Sequence, residues 1–139
     1  MVAGVTRRKR LRVAVAGSRS FPLTPLVGKA VIDMLLGYPK GTVFLTRGSE
    51  GFDTWILLVC SELDLPVEVR AAEGGADNFR RDAEMARDCD ELLAFLDPAT
   101  IHREDTGTAH MLEKALDQRR RTRAYSVGAE GLVYVGSSD

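Results

Sequence analysis

Long apolar runs, metal-type cysteine spacings and the standard nucleotide fingerprints are all missing from this chain of 139 residues. Each absence removes a class of function. No apolar stretch approaches the roughly 18 residues that a helical membrane span needs. The basic start is followed only by Leu11 to Gly17, too short for a signal peptide, and then at once by Ser18 and Arg19. Membrane contact is therefore not expected, and a cytoplasmic location with reduced thiols is. The only two cysteines, Cys60 and Cys89, lie far apart without CxxC or Cys/His spacing, so neither a disulfide framework nor a metal site is expected. Cys60, among apolar neighbours, reads as core filler. No GxGxxG follows the first strand, and no GxxxxGK followed by Ser or Thr occurs anywhere. Dinucleotide hydride chemistry and P-loop hydrolysis are disfavoured accordingly, and no cofactor is expected.

What is present describes one globular unit. Hydrophobic residues make up 45% and charged residues 28%, with a net charge of −1. That length suits a single core, and the apolar fraction is too high for a disordered chain. Near-zero net charge speaks against a dedicated nucleic-acid binder, but the sum hides a segregation. Arg7, Arg8, Lys9, Arg10 and Arg12 cluster at one end, and Arg119, Arg120, Arg121 and Arg123 near the other, while positions 50–117 hold 17 acidic against 6 basic residues. Residues 1–10 read as a basic flexible arm and 11–139 as a single domain.

Short apolar runs alternate with helical spacing along the whole length. Leu11–Val15 ending at Gly17, Thr42–Thr46, Val67–Val69, Glu91–Leu96, Arg123–Val127 and Leu132–Val135 read as strands, the last one suited to a sheet edge. Between them, Thr24 and Pro25 open one helix as N-cap and first residue, with Gly37 and Pro39 stopping it. A second helix carries Trp55, Leu58, Val59 and Leu63 on one face; a charge-laced third spans 78–89; a fourth opens at Gly107-Thr108 with Ala109, Leu112, Ala115 and Leu116 inward. This alternation predicts an α/β fold with a mostly parallel sheet.

Ligands of open α/β sheets bind beyond the carboxyl ends of the strands, so the loops there form a shortlist. Gly17-Ser18-Arg19 follows the first strand, Gly48-Ser49-Glu50-Gly51-Phe52-Asp53 the second, and Gly107-Thr108 opens the last long helix. Small residues permit close backbone approach, hydroxyls can donate to an oxyanion, and free N–H groups at helix starts suit phosphate. A phosphorylated ligand is the natural expectation.

Four segments in order, Val15-Ala16-Gly17-Ser18-Arg19-Ser20-Phe21, Gly48-Ser49-Glu50-Gly51-Phe52-Asp53, Arg80-Arg81-Asp82-Ala83-Glu84-Met85 and Gly107-Thr108, resemble the SLOG superfamily, and within it the small YspA-like branch. The resemblance runs from about residue 11 to 127. It implies a Rossmann-like three-layer sandwich, a pocket for a nucleotide or nucleotide-derived small molecule, service as a sensor, and homo-oligomer formation. By the same resemblance Gly17, Ser18 and Arg19 form the first ligand loop, Gly48, Ser49, Gly51 and Asp53 the second, Arg81 faces the ligand, and Gly107 and Thr108 cradle phosphate. Arg80 and Arg81 point about 100° apart on a helix, so only one can serve.

Two positions depart from the family pattern. Asp82 stands where the branch has Asn, placing an acceptor beside an expected anion. The enzymes of the superfamily that cleave the N-glycosidic bond of nucleoside monophosphates carry a Glu three residues after the Gly-Thr pair; that position is Met111, and Glu113 lies about 200° round the helix. If this chain is such a hydrolase, Glu50 and Asp53 are the remaining catalytic candidates. Asp53 has two open readings, as a ribose-binding carboxylate or as a helix cap. His110 reads as an exposed helix residue with no carboxylate partner by spacing, His102 as solvated, and Trp55 as core. A third functional reading, nucleic-acid binding through the basic arm and Arg119–Arg123, competes with a simpler one in which those arginines complement a helix C-terminus.

Overall fold

The strand Arg12–Gly17 (β1) sits in the middle of a six-stranded sheet because its side chains are apolar on both faces. Val13 and Val15 point to one layer, Ala14 and Ala16 to the other, and all four are inaccessible to solvent. Such two-sided burial is the mark of a parallel sheet covered by helices on both sides. The computed structural model describes residues 10–72, 76–99 and 107–138. Residues 1–9 of the expected 1–10 basic arm, His102 and the rest of segment 100–106 lie outside the described residues.

The remaining elements follow in order: helix α1 (Pro25–Leu36), β2 (Val43–Thr46), α2 (Phe52–Glu62), β3 (Val67–Val69), α3 (Ala76–Asp88), β4 (Glu91–Phe95), α4 (Gly107–Asp117), β5 (Arg121–Gly128) and β6 (Gly131–Ser137). The strand order is β3-β2-β1-β4-β5-β6, parallel throughout except for the antiparallel pairing of β6 on β5. The chain is therefore a Rossmann-like α/β sandwich, whose strand order reverses between β1 and β4. Among the described residues no helix is long and apolar enough to cross a membrane.

The two helical layers differ in character. On one face Val13, Val15, Phe44, Phe52, Ile56, Cys60, Leu93 and Phe95 join Val27, Val31 and Leu35 of α1 in an aromatic-rich core. On the other, small Ala14 and Ala16 let Met85, Ala86, Met111 and Ala115 of α3 and α4 sit close to the sheet. Cys60 and Cys89 are both buried, and burial pushes each thiol up to about 11.

Local signals explain most element ends. The Thr24 hydroxyl accepts from the Val27 N–H at 3.2 Å and Pro25 begins α1. Two helix faces differ from the sequence expectation. In α2 the buried residues are Phe52, Asp53, Ile56 and Cys60, while Leu58 and Leu63 are exposed; the helix is turned so that Phe52 covers Gly17. In α4 they are Thr108, Met111 and Ala115, with Leu116 exposed, because the Thr108 hydroxyl is tied inward to Arg47. The 119–123 segment is not the end of its own helix. Arg119 adopts φ 57° after α4, and Arg120 reaches across to donate to the carbonyls of Ala86 at 3.1 Å and Arg87 at 2.6 Å. It complements the carboxyl end of α3, a favourable place for a cation.

Candidate functional site

The reversal of strand order brings the ends of β1 and β4 side by side, and the loops that leave them are stitched together. Ser18 N–H donates to the Phe95 carbonyl at 2.9 Å, and Asp97 N–H donates to Ser18 Oγ at 3.2 Å. Ser20 Oγ donates to the Asp97 carboxylate, whose other oxygen accepts from Ala99 N–H at 2.9 Å. Ser18 is buried by these contacts; its hydroxyl is an anchor between two loops.

Beneath this edge lies a residue that the sequence reading passed over. Arg47, the first residue after β2, is buried, and its guanidinium joins three loops. Nε donates to Asp53 Oδ2 at 2.8 Å, and Nη2 donates to the Gly17 carbonyl at 2.9 Å and to Thr108 Oγ1 at 3.2 Å. Asp53 closes the ring by accepting the Gly17 N–H on Oδ1 at 3.1 Å. The side chain of Asp53 is 0% exposed and that of Arg47 5%. Burial pushes the Asp53 carboxyl up from its ordinary value, opposed by Arg47, by the Gly17 amide and by the charge of Arg81.

This ring changes the meaning of several expected site residues. Asp53 caps no helix, since the N-cap of α2 is Gly51 and no side chain bonds there. Its carboxylate instead fixes the end of β1. Glu50 lies exposed in the turn before α2, so the two carboxylates considered for catalysis sit in opposite surroundings. Gly17 has both backbone polar groups engaged by protein partners, and a Cβ there would lie 2.1 Å from the Phe52 ring. Gly51, at φ 82°, has the Arg19 carbonyl oxygen 2.2 Å from its would-be Cβ. At Gly107 and Gly48 the crowding atoms are Arg47 Nη1 and Val69 Cγ1. Protein contacts account for these glycines before any ligand is invoked. Ser49 contributes its carbonyl, which accepts from the N–H and hydroxyl of Thr54 at 3.0 and 2.7 Å.

The positive groups divide sharply. Arg19 is exposed at the lip of the β1 loop, and no hydrogen bond or ion pair holds its guanidinium among the described residues. On α3, Arg80 points outward and pairs with Asp77 and with Glu84. Arg81 points inward, with a side chain 10% exposed, and spends only Nε, which donates to Asp82 Oδ1 at 3.2 Å. Its Nη1 and Nη2 have no hydrogen-bond partner among the described residues.

Asp82 and His110 provide the clearest departure from expectation. His110 is half-buried, and its Nδ1 lies 2.8 Å from Asp82 Oδ2, with the Phe79 ring edge-on at 4.5 Å. A carboxylate partner does exist, but it stands on α3, 28 positions away; no spacing within α4 could reveal it. Met111 lies in the core and Glu113 is exposed, so α4 presents no carboxylate beside Thr108.

Among the described residues no cluster of His, Cys, Asp and Glu is arranged to hold a metal ion. No protein-family model matches the chain, and no curated protein matches it.

Proposed function

We propose that this chain binds a small phosphorylated ligand of the nucleotide class at the carboxyl edge of its sheet, beside the junction of β1 and β4. The observation that carries this reading is Arg81. Its guanidinium commits only Nε to a protein acceptor, and because no buried side-chain nitrogen is left without a partner among the described residues, Nη1 and Nη2 meet solvent, where a ligand can take them. Arg47 and Asp53 neutralise each other below it, so the cationic donors at this edge without a protein acceptor among the described residues are the Nη groups of Arg81, whose charge Asp82 shares, and the guanidinium of Arg19. A phosphate is the anion that suits planar, forked donors. The SLOG-like order of motifs supports the same ligand class.

Binding is favoured over N-glycosidic hydrolysis. Asp53 is committed to Arg47 and Gly17, Glu50 stands in solvent, and Met111 fills the position where a catalytic Glu is expected. Nucleic-acid binding has less support. Arg120 is spent on α3 carbonyls, and Arg123 donates to the Tyr38 hydroxyl at 2.5 Å beside Glu91.

The test is a thermal-shift and calorimetric screen of nucleoside monophosphates, ADP-ribose and cyclic nucleotides. A ligand at 100 times its dissociation constant adds about 2.7 kcal/mol to stability. Stabilisation that Arg81→Ala and Arg19→Ala abolish is expected. A flat response across the panel overturns the reading.

A second copy of the chain is the proposed assembly partner. β6 is the outer strand, carries no charge or proline, and exposes Val133, Tyr134 and Val135 in succession. That pattern supports edge-to-edge pairing.

A further inference from the structure

We infer that His110 is a ligand-contacting residue of the same site, held in place by Asp82, and that the pair selects a phosphate monoester over a diester. This rests on the anion-binding reading and extends it to two residues that reading does not use.

One buried carboxylate organises two donors. Asp82, with a side chain 2% exposed, receives Arg81 Nε on one oxygen at 3.2 Å and His110 Nδ1 on the other at 2.8 Å. A carboxylate only accepts, so Nδ1 carries the proton, and the reactive face of the ring is Nε2 on its far side. Nε2 has no partner among the described residues, just as Nη1 and Nη2 of Arg81 have none. The edge of Phe79 against the ring restricts its rotation. Both free ends are thereby set from a single anchor, on helices that pack against each other. Both also belong to the edge already described: His110 is two residues beyond Thr108, which receives Arg47 Nη2, and the charge of Arg81 acts on Asp53.

The chemistry of the imidazole defines the ligand. With the proton on Nδ1, neutral His110 offers an acceptor at Nε2, and protonated His110 offers a donor. A phosphate monoester loses its second proton at about pH 6, so it meets either form: P–OH donates to the neutral ring, or the dianion accepts from the protonated one. A diester has no such proton and can serve only the protonated ring. Arg81 provides the forked contact that either anion would accept. Asp82, an acceptor beside an expected anion, is then the group that positions both of its partners.

The competing account is that Asp82–His110 only fastens α3 to α4. Calorimetric titration of the intact protein separates the two, using the four common nucleoside 5′-monophosphates, inorganic phosphate and adenosine 5′-methylphosphate. Nitrogen-resolved spectra of the imidazoles provide the second readout, with only two histidines to assign. The expected result is monoester binding at least about tenfold tighter than diester binding, a factor worth ~1.4 kcal/mol. His110→Ala should remove that preference and His110→Gln restore part of it, and the Nε2 resonance of the unaltered protein should move on ligand addition. The spectra stand even if His110→Ala fails to fold. No binding of any probe overturns the anion-binding reading and this inference with it. Monoester binding that depends on Arg81 but leaves the Nε2 resonance unmoved and ignores His110→Gln overturns this inference alone.

Discussion

Arg47 and Asp53 form an ion pair sealed inside the carboxyl edge of the sheet, Nε to Oδ2 at 2.8 Å. Neither charge has meaningful access to water, and both are also bonded to Gly17, through its carbonyl and its N–H respectively. The pair thus fixes the end of the central strand at the point where the strand order reverses. Its role is to hold the β1, β2 and α4 loops in register, so that Arg19 and Arg81 are presented on a rigid frame.

Asp53→Asn is expected to destabilise the fold by about 3–5 kcal/mol, the usual cost of leaving a buried charge without its partner. Asn can still accept the Gly17 N–H but cannot neutralise Arg47. Urea denaturation would show the loss. The double variant Arg47→Met/Asp53→Leu should recover much of it, because no isolated charge remains. A single variant as stable as the wild type would mean that Arg47 finds another anion.

Gly17→Ala tests why glycine begins the first loop. The added methyl would stand 2.1 Å from the Phe52 ring, and that ring is itself held between Phe95, stacked at 4.8 Å, and Phe21, edge-on at 5.2 Å. Overpacking of this kind costs about 1–3 kcal/mol. Combining it with Phe52→Leu should return part of the stability in a thermal melt. If Gly17→Ala alone is neutral, the Phe52 contact is not what requires glycine there.

These two positions also show what was legible in the sequence. The strand alternation, the end of β1 at Gly17 and the caps of α1 follow from local sequence signals; helix geometry says only that Arg80 and Arg81 diverge, and the SLOG resemblance supplies the choice of Arg81. Arg47 and the Asp82–His110 contact do not, because their partners are distant in sequence and come together only when the sheet assembles. An arginine at the carboxyl end of a parallel strand was the available signal for Arg47. The faces of α2 and α4 were misread for the same reason: Phe52 and Thr108 are oriented by Gly17 and Arg47, not by their own helix.

Asp88 gives a pH dependence with a definite sign. A hydrogen bond from Arg70 at 2.8 Å is the largest influence on its carboxyl and holds it below the ordinary 3.8. A depressed carboxylate stabilises the fold above its unfolded value and loses that contribution as pH falls through the folded one. Asp88→Asn should therefore cost stability at neutral pH, by about 0.5–1 kcal/mol for a pair this accessible to solvent. The difference from wild type, read as the gap between urea midpoints, should close on acidification below about pH 4, near the usual Asp range. A gap constant down to pH 2 would assign the effect to something other than ionisation.

The two edges of the sheet are built differently, and that difference makes assembly testable. β3 is three residues long, with Glu68 at its centre bonded to both Arg12 and Arg70; short, charged edges resist pairing. β6 is seven residues long, uncharged and rich in exposed apolar side chains, and among the described residues no strand pairs with its outer side. Two copies joined through β6 about a two-fold axis would form one continuous sheet with both outer edges protected. Val133→Lys/Val135→Lys should convert such a dimer to monomer in light scattering behind size exclusion, while reversing the charge on the other edge, as Glu68→Lys, leaves the assembly intact. A wild-type protein that is monomeric at high micromolar concentration would overturn pairing through β6.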